Sequence, residues 1–131
     1  MEWLDPIALA RVFVCAFFAV LFLQSGLDKI FDFNGNLAWM QPHFAKSPMK
    51  GTVPALLSVM TVVEMSAGAA CGVGVVMLHF SNVQWAVVGL GLSCLALTML
   101  FAGQRIAKDY VGAATLATYF GVALIGLFVL Q

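Results

Sequence analysis

The fold of this chain can be inferred starting from the stretch Val53–Met77, VPALLSVMTVVEMSAGAACGVGVVM. It is long enough to cross a bilayer, because a membrane-spanning helix needs about 20 predominantly apolar residues. Its single charged side chain, Glu64, lies near the middle of the run. A carboxylate at that depth is costly unless it is protonated, paired or hydrated, so we interpret Glu64 as a functional group or a fixed polar contact.

The composition of the whole chain is that of an integral membrane protein. Of the 131 residues, 63% are hydrophobic and 9% are charged, whereas about a quarter of the residues in a soluble domain are charged. The formal net charge of zero gives no reason to expect nucleic acid as a partner. The three cysteines lie in apolar runs without CxxC spacing, so we interpret them as small buried residues and predict no metal site.

The first membrane span is predicted over residues 6–26. Asp5 supplies an N-cap and Pro6 is tolerated in the first turn of a helix. A secretory signal peptide is the competing interpretation, but Glu2 and Asp5 stand where basic residues would be expected, and no A-x-A-like cleavage site follows. We therefore expect this helix to remain as a membrane anchor.

Residues 27–52 are predicted to connect the first two spans. Charged side chains, two prolines and a turn at Asn34-Gly35 distinguish this stretch from a span. We predict a short interfacial helix over residues 36–45, with an irregular loop as the alternative. Apolar side chains recur there at helical spacing: Leu37, Met40 and Phe44.

The remaining sequence contains three further spans. Residues 65–104 carry no charge and are too many for one span, so we place a break at His79–Asn82. Thr52 and Asp109 are the expected N-caps of the second and fourth helices. The second, third and fourth spans are predicted over residues 53–78, 82–102 and 110–130. The fold class is therefore an all-α membrane protein, a single domain over residues 1–131 with four transmembrane helices in an antiparallel bundle.

The distribution of basic residues predicts the orientation of this bundle. Cytoplasmic loops carry the excess of lysine and arginine. Five cations lie in the connections after the first and third helices: Lys29, Lys46, Lys50, Arg105 and Lys108. We expect a multi-pass protein of the bacterial inner membrane with both termini on the periplasmic side.

Small and polar residues mark the helix faces that are expected to point inward. Glu64 shares its face with Gly68 and Gly72, whose spacing allows close approach of a neighbouring helix. The third helix offers a small-residue stripe with Gly89 and Ser93. On the fourth helix, Thr115, Thr118 and Tyr119 share a polar face.

Depth along the helices then predicts a polar cluster near the middle of the membrane. At about 1.5 Å per residue, Glu64 lies roughly 16 Å above the cytoplasmic end, and Ser93 and Tyr119 lie at roughly 13 Å. We treat this cluster as a candidate site that binds a ligand or carries a proton. The alternative is a hydrogen-bonded clamp that only holds the helices together.

Two cations on the first helix are further candidates. Arg11 lies near the outer boundary, where it either extends to the headgroups or pairs with Glu64 directly or through water. Lys29 is eighteen residues, about five turns, after Arg11 and shares its face if the helix continues. Without a cationic partner, Glu64 would favour the neutral acid, a state suited to exchanging a proton.

These residues also carry a family resemblance. Arg11, the segment SGLDKIFDF over Ser25–Phe33 and the glutamate-glycine segment VVEMSAGAACGVG resemble the DoxX family of small four-helix membrane proteins. The resemblance implies a membrane subunit associated with quinone-linked oxidoreductases. The positions that map onto this sequence are Arg11, Gly26, Lys29 and Glu64.

The expected function is that of a non-catalytic membrane subunit of a respiratory or sulfur-oxidising oxidoreductase, which contributes a quinone site or anchors redox partners. An aromatic and small-residue bundle with few polar groups suits a lipid-soluble quinone. The sequence has no haem-ligand pair within a span, no dinucleotide-binding turn and no iron–sulfur spacing, so electrons would come from a partner's cofactor. The alternatives are a purely structural subunit of a larger complex and a small transporter that uses Glu64 as a self-oligomer.

Overall fold

A computed structural model describes residues 5–48 and 50–131. Within these residues the secondary structure is helical, without strands. The α-helices are α1 (Pro6–Phe31), α2 (Phe33–Phe44), α3 (Val53–Leu78), α4 (Gln84–Ile106) and α5 (Tyr110–Val129), and a 3-10 turn, Lys50–Thr52, precedes α3. Four of them, α1, α3, α4 and α5, are long and apolar enough to cross a membrane. The prediction of an all-α membrane protein with four candidate spans is confirmed.

Capping residues explain where two of these long helices begin. The Asp5 carboxylate accepts a hydrogen bond from the backbone N–H of Ile7 at 3.3 Å, and Pro6 occupies the first turn of α1. The Asp109 carboxylate accepts from the backbone N–H of Gly112 at 3.0 Å at the start of α5. Both caps were expected from the sequence. Thr52 is the N-cap residue of α3, but its side chain does not make the expected capping hydrogen bond.

The first connection differs from the prediction. α1 does not end at Gly26 but continues to Phe31, because no strong helix breaker lies between them. The predicted turn at Asn34-Gly35 is wrong, and the helix predicted over residues 36–45 begins at Phe33. Asp32 leaves the helical conformation, at φ −134° and ψ 53°, and its carboxylate accepts from the Gly35 N–H at 3.3 Å. This cap draws the Asn-Gly pair into the first turn of α2.

The helix predicted over residues 82–102 is also shifted. The chain turns through Ser81, which has a φ of 59°, and α4 begins at Gln84, whose N–H donates to the Asn82 side chain at 3.0 Å. α4 then runs past Ala102 to Ile106, because Gly103 alone does not stop a helix. The helix ends before Lys108, which adopts a left-handed conformation with φ 63°.

The core lies between α1, α3 and α4, and α5 packs mainly on α4. Large fully buried side chains on α1, α3 and α4 fill it: Phe18, Phe22, Leu57, Leu90 and Leu97. α5 is the least enclosed of the four long helices, and its Val111 and Phe128 are 82% and 74% exposed. Exposed apolar faces of this kind are the surfaces that contact lipid in a membrane protein.

Two of the three glycines expected at helix contacts lie where backbones approach closely. A Cβ placed on Gly68 would lie 2.8 Å from the Leu23 backbone nitrogen on α1, and one on Gly89 would lie 2.6 Å from the Cys71 backbone nitrogen on α3. A Cβ on Gly72 would meet nothing within 4 Å. Only the first glycine of the Gly68-x-x-x-Gly72 motif therefore serves packing within this chain.

Candidate functional site

Glu64 forms an ion pair with Lys29, which lies in the part of α1 that continues beyond Gly26. The Lys29 ammonium lies 3.2 Å from each of the two Glu64 carboxylate oxygens and donates a hydrogen bond to Oε2. The Glu64 side chain is fully buried, whereas that of Lys29 is 14% exposed. A second hydrogen bond, to Ser25 Oγ at 2.8 Å, orients the ammonium. The carboxylate is therefore compensated inside the protein by a cation that still reaches the surface.

The extension of α1 beyond Gly26 is what brings this pair together. Ser25 and Lys29 are four residues apart and lie on one face only if the helix continues through both. The predicted helix end placed Lys29 in a loop, and the depth comparison consequently favoured other partners for Glu64. The structure corrects that assignment, because Lys29 is the cation beside Glu64.

The other members of the predicted midplane cluster, Ser93 and Tyr119, have partners of their own, and so does Thr118, a further candidate residue on the fourth helix. Ser93 is fully buried, donates to the Gly89 carbonyl at 2.8 Å and lies 3.7 Å from the Cys71 sulfur. The Tyr119 ring packs against Phe17, with 6.1 Å between ring centroids. Thr118 is exposed and donates to the Ala114 carbonyl of its own helix at 3.3 Å. The structure therefore does not join Ser93, Thr118 or Tyr119 to Glu64.

Arg11 lies at the other end of the inward face of α1 and binds the end of α5. Its Nε donates to the Val129 carbonyl at 2.6 Å, and its Nη2 donates to the Gln131 carbonyl at 3.1 Å. Neither predicted role of Arg11, extension to the headgroups or pairing with Glu64, describes these contacts. A cation at a helix C-terminus satisfies orphan carbonyls and interacts favourably with the helix dipole.

Replacing Arg11 by leucine should therefore loosen the contact between α1 and α5. We expect the free energy of unfolding to fall by about 1–2 kcal/mol, because two charge-assisted hydrogen bonds are lost while the apolar stem is kept. Thermal unfolding in detergent measures this loss. Lys46→Leu is the matched control, since Lys46 is an exposed cation that lies outside the helices. Equal losses for the two variants would contradict the capping role.

A pocket of about 420 Å³ opens beside Lys29. It lies where the end of α1, helix α2, the start of α3 and the end of α4 meet. Apolar side chains form most of its wall, including Leu57, Met60, Met99 and Leu100. The volume falls in the usual range for a small-molecule site, roughly 300–1,000 Å³, and such sites are mostly apolar with a few placed polar groups.

The polar groups of the pocket wall are few and come from three helices. Besides Lys29 they are Asn36 and His43 on α2 and Gln104 on α4. Trp39 also lines the pocket, and its ring lies 4.2 Å from that of His43 between centroids. This side of the site was not predicted from the sequence. The signal available was a second stripe on α2, since Asn36, Trp39 and His43 follow the same i, i+3, i+7 spacing as the apolar stripe beside them.

The site can therefore present a positive hydrogen-bond donor to an apolar ligand while its counter-charge stays buried behind it. In the part of the chain that the structure describes, no three His, Cys, Asp or Glu side chains could share a metal ion. The side chains of Lys29, Asn36, His43 and Gln104 give the pocket groups that can donate or accept hydrogen bonds.

No protein-family model, no curated protein and no solved structure matches this chain.

Proposed function

We propose that this chain is an integral membrane subunit that binds a quinone in the pocket beside Lys29 and serves a redox partner. The observation that carries the proposal is the position of Lys29: its side chain lines an apolar pocket, and its ammonium contacts Glu64 and Ser25. A quinone has an apolar body and carbonyl oxygens that accept hydrogen bonds. Electrons would be supplied and removed by cofactors of the partner.

Hydrogen-bond counting supports Lys29 as the group that binds the carbonyl. An ammonium has three N–H donors, and the described contacts engage it with Ser25 Oγ and Glu64 Oε2. The remaining N–H lies beside Glu64 Oε1, at 3.2 Å, and a ligand carbonyl in the pocket would compete with that oxygen for it. A hydrogen bond to a charged donor contributes about 1.5–3 kcal/mol, which corresponds to roughly a tenfold or greater gain in affinity.

The proposal includes a placement in the membrane. The four long helices would form an antiparallel bundle that spans the bilayer, with α2 in the interfacial layer at the cytoplasmic side and both termini periplasmic. Exposed aromatic side chains at the Lys29 end support this depth: Phe31 is 82% exposed and Trp39 is 60% exposed. Aromatic residues concentrate at membrane–water interfaces, so the pocket would open at the level where a quinone head group can enter.

The DoxX resemblance is consistent with the same site. Three of the residues that carry it, Ser25, Lys29 and Glu64, meet in one hydrogen-bonded cluster. A fourth, Gly26, is buried against Met65 on α3. A DoxX-like subunit of a quinone-linked respiratory or sulfur-oxidising oxidoreductase is therefore our specific proposal.

Quenching of Trp39 fluorescence tests the proposal directly. The sequence has three tryptophans, and Trp3→Phe/Trp85→Phe leaves Trp39, which lines the pocket, as the reporter. Decylbenzoquinone added to this protein in nanodiscs should quench the fluorescence saturably. Decylbenzene, which lacks the carbonyl oxygens, should displace it only weakly. We expect Lys29→Met to raise the quinone Kd by about tenfold or more, because the charged donor is lost.

Ser93→Ala and Tyr119→Phe are the controls, since these residues do not line the pocket. Their quinone Kd should stay within about twofold of that of the parent protein. Weakened binding in these two variants, with normal binding in Lys29→Met, would place the site at the predicted midplane cluster instead. The absence of saturable quenching in the parent protein would overturn the proposal.

Purification in mild detergent separates the proposed role from the two alternatives. Co-purified redox subunits with quinone-dependent quenching support a quinone-binding subunit. Co-purified subunits without quinone binding indicate a purely structural subunit, and a self-oligomer alone indicates the transporter that uses Glu64.

A further inference from the structure

Two polar side chains of α2 line the pocket with a hydrogen-bonding character opposite to that of Lys29, whereas the third α2 group, the Trp39 indole N–H, is a donor. His43 and Asn36 both line the pocket from this helix. Each already uses its donor groups on backbone carbonyls. The atom that each side chain has left for a ligand therefore follows from these hydrogen bonds.

His43 is committed through its Nδ1 atom, which lies 2.8 Å from the Trp39 carbonyl oxygen. A carbonyl oxygen can only accept, so Nδ1 carries the proton in the neutral ring and Nε2 is an acceptor. The contact with the Trp39 ring, at 4.2 Å between centroids, further holds the imidazole in place. The neutral ring thus presents a lone pair to its surroundings.

Asn36 is committed in the same way. Its amide nitrogen donates to the Asp32 carbonyl at 2.9 Å and to the Asp28 carbonyl at 3.3 Å. Both partners are carbonyl oxygens, so the nitrogen must be the atom that faces them and the amide oxygen remains as an acceptor. Gln104, on the opposite wall, can rotate its amide to donate or to accept and therefore does not discriminate.

The net charge of the site also bears on the kind of ligand that the pocket can bind. The Lys29 charge is compensated by Glu64 at 3.2 Å, so the pocket does not require an anionic ligand. A carbonyl oxygen placed against His43 Nε2 would bring two lone pairs together, whereas a hydroxyl group placed there donates a hydrogen bond. The same hydroxyl oxygen, or a second one, can accept from Lys29.

We propose that the α2 wall, with His43 as its main acceptor, makes this pocket selective for a phenolic hydroxyl head group over the corresponding carbonyl or ether. The inference rests on the proposed function and names the form of ligand that the same pocket prefers: the reduced, hydroxyl-bearing form of a quinone-type molecule. His43 acts in it as a residue that determines specificity.

Two probes that differ by one methyl group on the head-group oxygen test this proposal without a redox step. 4-Decylphenol and 4-decylanisole both have an oxygen that can accept from Lys29, but only the phenol can donate. Each is titrated at pH 8 against decylbenzoquinone, and the recovery of Trp39 fluorescence reports displacement. We expect the phenol to bind about tenfold more tightly than the anisole, the value of one ordinary hydrogen bond.

His43→Phe should reduce this ratio to about one, because it keeps an aromatic ring beside Trp39 but removes the acceptor. The phenol and anisole affinities of this variant are compared as a ratio, so that a change common to both ligands cancels. His43→Gln, which retains an acceptor oxygen, should keep a ratio well above one, and it replaces His43→Phe as the informative variant if the latter loses quinone binding. His79→Phe is the matched control: the His79 Nδ1 also lies 2.8 Å from the carbonyl four residues earlier, but His79 is not at the pocket.

Equal phenol and anisole affinities in the parent protein would overturn the proposal, and so would a phenol preference that His43→Phe leaves unchanged. Either result leaves the quinone site itself intact. Failure of the quinone to quench Trp39 is a different outcome and contradicts the proposed function.

Discussion

Lys29→Met is expected to lower the free energy of unfolding by about 3 kcal/mol. Removing one partner of a buried ion pair leaves the other charge uncompensated, which typically costs about 3–5 kcal/mol. We expect the lower end of that range because the Lys29 side chain is 14% exposed. Unfolding in mixed micelles by SDS titration, followed by far-UV circular dichroism, measures the change.

The double variant Lys29→Met/Glu64→Met gives the sharper result. Replacing both ions by apolar groups of similar size is often neutral, so its stability should return to within about 1 kcal/mol of the parent value. Lys46→Met is the matched control, because Lys46 is an exposed lysine in the connection before α3. A double variant that is less stable than Lys29→Met would show that the pair is not coupled as the structure indicates. The double variant should be stable but should not bind quinone, because it lacks Lys29. Loss of quinone binding could then be distinguished from loss of folding.

Gly89→Ala is the second substitution with a large expected effect. The added Cβ would lie 2.6 Å from the Cys71 backbone nitrogen and 2.9 Å from its Cα, and a backbone cannot move aside as a side chain can. α3 and α4 must then separate, and overpacking of this kind typically costs about 1–3 kcal/mol. SDS unfolding should report a loss of about 2 kcal/mol.

Gly91→Ala is the internal control for helix propensity. Gly91 lies on the same helix, but a Cβ placed there meets no atom within 4 Å. Alanine should be neutral at this position or stabilise the helix by up to about 1 kcal/mol. Similar losses for Gly89→Ala and Gly91→Ala would contradict close packing as the reason for glycine at position 89.

Much of the fold could be predicted because it depends on local properties of the chain. Apolar runs of sufficient length predicted four spans, and the carboxylates of Asp5 and Asp109 predicted two helix starts that the structure contains. The errors lie at the other boundaries. At Asp32 a cap overrode the Asn34-Gly35 turn signal, and at Gly103 a single glycine did not end α4. At these positions the signals for continuing a helix and for ending it have similar strength, so the exact helix end cannot be predicted from the sequence.

The candidate site was predicted less well, because an error at one helix end changed the interpretation of every polar contact. Glu64 was identified from its depth and face, and Lys29 was placed on the inward face only if α1 continued. The extension to Phe31 decides that condition and brings the two charges to 3.2 Å. The acceptor wall of α2 was not predicted, since its character depends on which donors of Asn36 and His43 are already used.

The sequence by itself determined that this is a membrane protein with four candidate spans and a glutamate buried in the second of them. Hydropathy and helical period are properties of neighbouring residues, so a single chain is enough to read them. Three features are visible only in the tertiary structure: Glu64 pairs with Lys29, Arg11 caps α5, and a pocket lies beside the ion pair. Those contacts join residues 35 and 118 positions apart, and they depend on which helices are adjacent and on where each one ends.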